Sequence, residues 1–257
     1  ERLEHDLAVA GEVQAALLPP RRLEGTLFSA AGECRQALGV GGDAWDVVAL
    51  SDDAVFAGIA DVSGKGMPAA VLMAGFLGSL RGLLTAGDQR LDALAAELSE
   101  TLRTASAETR FATAFLAIAE DGILRYVNAG HEAGLLLPPP GAGGDPRPLP
   151  STGPPLGLLP GSRFHEACVP LPPGATLVLY TDGLTECEDP EGSELGRERV
   201  ARLAAAASGE SPERIVSDLV AAAEAHAAGA PLGDDVTVLC LVRKGAAPYN
   251  PNTEHAA

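Results

Sequence analysis

The chain has 257 residues, of which 46% are hydrophobic and 4% aromatic, with 35 Asp and Glu against 18 Lys and Arg for a formal net charge of −17. That length and apolar share suit one globular domain with a core of ordinary size, whereas the acidic balance argues against nucleic acid, whose affinity for proteins comes from clustered cations. The cysteines Cys34, Cys168, Cys187 and Cys240 lack the close spacing of zinc or redox pairs, and no uninterrupted apolar run approaches the roughly 18 residues that span a bilayer, so a reducing cytoplasm without membrane insertion is expected.

The chain opens on Glu1, which suggests a piece of a longer protein with further sequence upstream. Leu3, Leu7, Ala10 and Leu17 recur four and three apart if Gln14 fills the missing position, a heptad-like helix that Pro19-Pro20 ends. Residues 1–20 therefore read as a linker helix that pairs with a second copy or packs on the domain. Short β-type runs follow at Leu27 to Ala31, Asp46 to Leu50 and Ala54 to Ala60. Pro68 to Leu84 reads as a helix whose nearly continuous apolar set predicts burial, and a second helix is expected over Arg90 to Ala107. Phe111 to Ala119 and Ile123 to Ala129 flank Glu120-Asp121-Gly122, and Asp-Gly supplies the backbone angles of a tight hairpin. The Pro- and Gly-rich Pro138 to Pro155 segment reads as a variable loop. Strands are expected at Phe164 to Val169, Ala175 to Thr181 and Val236 to Val242, helices at Glu194 to Ala207 and Pro212 to Ala228, and a disordered tail over 245–257. Strand groups separated by helix pairs point to an α+β layered sandwich over residues 21–244 rather than a doubly wound parallel sheet.

Four segments place aspartate where a strand meets a glycine-containing turn: Gly41-Gly42-Asp43, Asp61 to Gly66, Thr181-Asp182-Gly183 and Gly233-Asp234-Asp235. One such corner is ordinary turn chemistry. Four at strand ends could meet at one edge of a sandwich, and oxygen donors without a companion His or Cys select a hard cation such as magnesium or manganese. Two such ions activate water without a covalent nucleophile. Ser63-Gly64-Lys65-Gly66 lacks the earlier glycine and the Ser/Thr of a nucleotide-binding loop, leaving Lys65 to solvent or to a phosphate. His131 reads as a structural residue or a general acid, and Arg35 as a weak candidate for phosphate contact.

In this order the aspartate segments resemble the PPM metal-dependent protein phosphatases, specifically their bacterial SpoIIE-like (RsbU-like) branch. The likeness runs from about Glu12 to Val242 and includes Val13 to Pro19, Asp61 to Ala70, Tyr126 to His131, Gly153 to Leu158 and Leu179 to Glu186. It implies a four-layer αββα sandwich, two Mn2+ or Mg2+ ions, and hydrolysis of phosphoserine or phosphothreonine on a phosphorylated STAS-domain protein, an anti-sigma-factor antagonist, under an upstream sensor domain. It places metal on Asp43, Asp61, the Val62 carbonyl, Asp182 and Asp234, gives Asp61 and Asp182 the catalytic weight, and leaves Asp235 as a second candidate ligand beside Asp234. Ala60 and Ala44 depart from the residues frequent in the family, with Trp45 expected to fill the space beside Ala44. The alternative is a catalytically silent binding module on the same fold. Degenerate relatives would be expected to lose an aspartate, and none is missing here.

Overall fold

The computed structural model describes residues 2–87, 90–105 and 110–245, with side chains from residue 7 onward. In chain order the elements are α1 (Arg2–Leu17), β1 (Arg22–Glu24), β2 (Phe28–Arg35), β3 (Asp43–Ala49), β4 (Ala54–Val62), α2 (Met67–Thr85), α3 (Leu91–Ala105), β5 (Ala112–Glu120), β6 (Ile123–Ala129), β7 (Gly134–Leu137), β8 (Arg147–Leu149), β9 (Ala167–Pro170), β10 (Thr176–Tyr180), α4 (Asp182–Thr185), α5 (Arg197–Ala206), α6 (Pro212–His226) and β11 (Val236–Arg243). The strands form two antiparallel sheets, one ordered β1-β2-β11-β10-β7-β8 and the other β3-β4-β5-β6-β9.

Alternation along the strands builds three apolar layers, because successive side chains leave opposite faces of a sheet. Trp45, Val47, Val55, Ala57, Ile59, Phe115 and Ala117 meet Phe28, Ala30, Leu177, Leu179, Leu239 and Leu241 between the sheets. The in-between residues of one sheet pack under α2 and α3, and those of the other under α5 and α6. The result is the expected αββα sandwich. Phe115 and Tyr126 stack at 5.1 Å in the middle layer, and each fully buried aromatic of this kind stabilises the fold by roughly 1.5–3 kcal/mol.

The hairpin forms where Asp-Gly predicts it: Asp121 and Gly122 have φ of 50° and 79°, and Glu120 pairs with Ile123. Other expectations need correction. Trp45 does not fill the space beside Ala44; it lies between the sheets against Gly32, while Ala44 faces α2, as neighbours on one strand must. In α2, Met73, Phe76, Leu77 and Leu80 are buried, but Val71 is 63% exposed, so the apolar run is not buried all round. By length and apolarity α2 would pass for a membrane-spanning helix, yet one face is a core face of the sandwich. Its Arg81 Nε donates to the buried Asp46 carboxylate on β3 at 2.6 Å, because a desolvated charge requires a partner.

The segment Pro138 to Pro155 is not a free loop. It contains β8, buries Leu149, and ends with Thr152 and Gly153 donating their amides to the Asn128 carbonyl. The strand expected from Phe164 begins only at Ala167, and the helix expected from Glu194 begins at Arg197. Most of the tail, 246–257, and the last two residues of the expected Arg90 to Ala107 helix lie outside the described residues. On α1 the row Leu7, Ala10, Gln14 and Leu17 is the covered side, and Leu17 packs against the α2–α3 layer.

Candidate metal centre

The inter-sheet face that carries Trp45, Val47, Val55, Ala57 and Ile59 continues outward to Asp43 and Asp61, which lie opposite each other on β3 and β4. Thr113 on β5 stands opposite Asp61. From the facing sheet, the rows Leu177–Leu179 and Leu239–Leu241 run out to Thr181 and Thr237 by the same parity. Each row therefore turns polar where the apolar layer ends, and the polar residues converge from both sheets.

Asp43 is buried, and its Oδ2 accepts from Thr181 Oγ1 at 2.8 Å and Thr237 Oγ1 at 2.6 Å. Those hydroxyls fix one oxygen and orient the other. The loop before Asp43 is held from three sides. Gly41 lies so close to Asp235 that a Cβ there would sit 1.6 Å from Oδ2, and a Cβ on Gly42 would sit 2.4 Å from the Val62 carbonyl. The Gln14 side chain of α1 brackets Gly41 itself, its Nε2 donating to the carbonyl at 2.7 Å and its Oε1 accepting the amide at 3.1 Å.

The adjacent aspartates divide their work. Asp235 is buried and accepts the Ala37 amide at 2.9 Å, so its carboxylate is committed to the loop. Asp234 is half exposed; its Oδ1 accepts the Asp235 amide, and its Oδ2 lies 2.9 Å from Lys65 Nζ, which also donates to the Gly233 carbonyl. Asp182 opens α4 and lines a cavity of about 400 Å3 with Thr113, His131 and Arg197. A second cavity of about 350 Å3 lies on the Asp234 side, with Lys65, Glu186 and Asp189 on its wall.

The electrostatics are those of carboxylates gathered without enough counter-charge. Burial, then repulsion by Asp182, Asp234 and Asp235, pushes Asp61 up to about 7, with Lys65 opposing only weakly. Burial and Asp61 raise Asp43 well above the usual carboxylate range, and burial and Asp234 raise Asp182. A hard dication in this space reverses that penalty. Among the described residues no three acidic, imidazole or thiolate side chains close on a common point; one or two carboxylates with retained water is the usual setting of Mg2+. The all-oxygen donor set and the unrelieved acidity thus fit hard divalent cations.

Asp43, Asp61, the Val62 carbonyl, Asp182, Asp234 and Lys65 are brought to one edge. Arg35 is not: it pairs with Glu33 at 2.9 Å and Glu224 at 3.4 Å. His131 is buried with Nδ1 2.7 Å from Thr113 Oγ1, and burial lowers its pKa to about 4, so the ring is neutral at pH 7 and suits a structural link better than proton transfer. Sequence reasoning missed Thr181, Thr237 and Gln14 as supports. The threonines were open to discovery by counting in twos from the apolar rows; no local signal marks the target of Gln14.

The profile of the family described as Stage II sporulation protein E (SpoIIE) matches residues 51–244. The chain is 30% identical over 238 residues to Protein IcfG of Synechocystis, an overlap covering 80% of this chain and 36% of that protein, so it spans about a third of that relative's length. The structure superposes with TM-score 0.83 on the SiaA-PP2C domain of Pseudomonas aeruginosa, at 22% identity, covering 95% of this chain and 98% of the other. It also matches the RsbU and RsbW domains of a Mycobacterium tuberculosis protein, with TM-score 0.71, 25% identity and coverage of 89% and 63%. The catalytic domain of the serine threonine protein phosphatase PstP, solved in complex with 2 manganese ions, matches with TM-score 0.63, 15% identity and coverage of 85% and 99%.

Proposed function

Because the chain belongs to the SpoIIE family and is a PP2C-type phosphatase domain, we propose that it is a Mn2+- or Mg2+-dependent phosphoserine/phosphothreonine protein phosphatase acting in the cytoplasm on a phosphorylated STAS-domain protein. The observation that carries the reading is the convergence of Asp43, Asp61, Asp182 and Asp234 on one sandwich edge, where burial and mutual repulsion push the carboxyls of Asp43, Asp61 and Asp182 up. The substrate class is the one that the sequence resemblance implies, and the likeness to the RsbU and RsbW domains and to the SpoIIE phosphatase domain supports it. An upstream sensor domain and pairing of two copies through α1 belong to the same reading.

Asp61 and Asp182 would hold the ions from the two sheets, Asp43, the Val62 carbonyl and Asp234 would complete the donor set, and Asp235 would hold the loop that carries Asp43. Bound cations supply Lewis acidity that lowers the pKa of water and offsets charge on the phosphoryl group. The chain's own part is to aim the carboxylates: Thr181 and Thr237 fix Asp43, Gln14 and Asp235 fix Gly41, and the apolar layer beneath excludes water from the sheet interior.

The test is calorimetric titration with Mn2+ alongside phosphate release from a phosphoserine protein. Binding together with chelator-sensitive release is expected, and Asp234→Asn should weaken Mn2+ binding more than Asp235→Asn, whose main effect should be on thermal stability. Folded protein that takes up no Mn2+ would favour the silent binding module instead.

A further inference from the structure

The cavity that Asp182 shares with His131 and Arg197 contains a built feature that the metal centre does not use. Arg197, the first residue of α5, meets Glu132 in a two-pronged ion pair, Nε to Oε2 at 2.8 Å and Nη2 to Oε1 at 2.6 Å. The acceptor is itself fixed. Glu132 is only 10% exposed, its carbonyl accepts from Asn128 Nδ2 at 3.2 Å, and Asn128 Oδ1 accepts the His131 amide at 2.8 Å. The guanidinium carries five N–H donors in a rigid fork, and this pair occupies one edge of it. Among the described residues no hydrogen bond or ion pair takes the Nη1 edge, on a side chain that is 73% exposed. In the same cavity His131 Nε2 is buried and, among the described residues, meets no partner in hydrogen-bonding geometry.

On its other side Arg197 lines a cleft of about 540 Å3 with Arg199 and Arg202. Glu186, Glu194 and Glu198 line the same cleft, so no diffuse basic field results, and recognition falls to the guanidinium that is both aimed and open. An extended peptide advances roughly 3.3 Å per residue. A peptide whose phosphorylated residue lay at the aspartate edge would have near neighbours within reach of the cavity whose walls carry Asp182 and Arg197.

We propose that Arg197, oriented by Glu132, is a specificity-determining residue that receives an acidic side chain of the substrate protein within a few residues of the phosphorylated one. This rests on the phosphatase reading. A carboxylate partner completes the free edge of the fork by charge-assisted hydrogen bonds, the geometry for which arginine is better suited than lysine.

The experiment compares two sets of phosphoserine peptides that differ only in carrying Glu or Lys at the three positions on either side, measuring kcat/KM with Mn2+ and, in parallel, binding by fluorescence anisotropy. The unaltered chain should favour the Glu peptides about tenfold. Arg197→Glu should reverse the order, Arg197→Lys should keep part of the preference, and Glu132→Gln, which loosens the aim of the guanidinium, should lower it by a smaller factor. Loss of a merely structural ion pair would slow both sets alike, and a Glu-to-Lys ratio that Arg197→Glu leaves unchanged in both assays overturns the proposal. If neither set releases phosphate the phosphatase reading fails, while the anisotropy ratio still decides the role of Arg197.

Discussion

Strand β4 runs from Ala54 and Phe56 in fully buried apolar layers to Asp61 at the acidic edge, and β10 and β11 run likewise from Leu177 and Leu241 to Thr181 and Thr237. The middle of the sandwich and its edge are thus built by the same strands but held by opposite physics. Between the sheets, burial of apolar surface supplies the stabilisation. At the edge, desolvated carboxylates repel one another and store a penalty that a cation would relieve. The contrast teaches that the apolar layers carry the edge: residues at the same parity two positions apart, Ile59 and Asp61, stabilise and destabilise the metal-free fold respectively.

The sharpest way to break this comparison is to neutralise the edge. Asp61→Asn and Asp182→Asn should each lower Mn2+-dependent phosphate release by about 10^3-fold or more, the scale of several kcal/mol of lost cation contact. In chelator, Asp61→Asn should melt at a higher temperature than the unaltered chain, because the shape is kept while the repulsion is removed. A lower melting temperature would mean that the carboxylate stabilises the metal-free fold after all.

The complementary change acts on the middle. Phe115→Ala removes a fully buried ring stacked on Tyr126 and should cost about 3–5 kcal/mol in urea unfolding, with or without Mn2+. A cost below about 1 kcal/mol would show that the inter-sheet layer does not support the edge as described.

The smallest effect is on pH. Asp61 has its folded pKa raised from 3.8 to about 7, so between those values the folded chain holds more protons than the unfolded one. The Asp61 contribution to stability must then fall as pH rises through that window, while His131, lowered from 6.5 to about 4, contributes in the opposite sense below about pH 6.5. The melting temperature of the metal-free chain should therefore decline from about pH 6.5 to about pH 8, and Mn2+ should flatten or reverse the decline. A metal-free melting temperature that rises over this range would remove the repulsive edge from the comparison.

Much of this was legible along the chain. The Asp-Gly hairpin, the helix boundaries near Pro68 and Pro212, and the four aspartate corners follow from turn chemistry and periodicity, which act over a few residues. Where patterns were ambiguous, the reading went astray: an apolar run does not say which side of α2 meets a sheet, and a Pro-rich segment hides a short strand such as β8 because its partner β7 is also short.

By itself the sequence determined which residues are acidic, that four of the aspartates stand beside glycine-containing turns, and that oxygen donors suit a hard cation. Only the tertiary structure decided that Thr181 and Thr237 clasp Asp43, that Asp235 and Gln14 brace Gly41 while Asp234 faces Lys65, and that Glu132 aims Arg197. The reason is one of range. Backbone preferences and alternation are set by neighbouring residues, whereas each of these contacts joins positions far apart in the chain, and the partner of a polar side chain is chosen by which sheet edge the packed layers bring beside it.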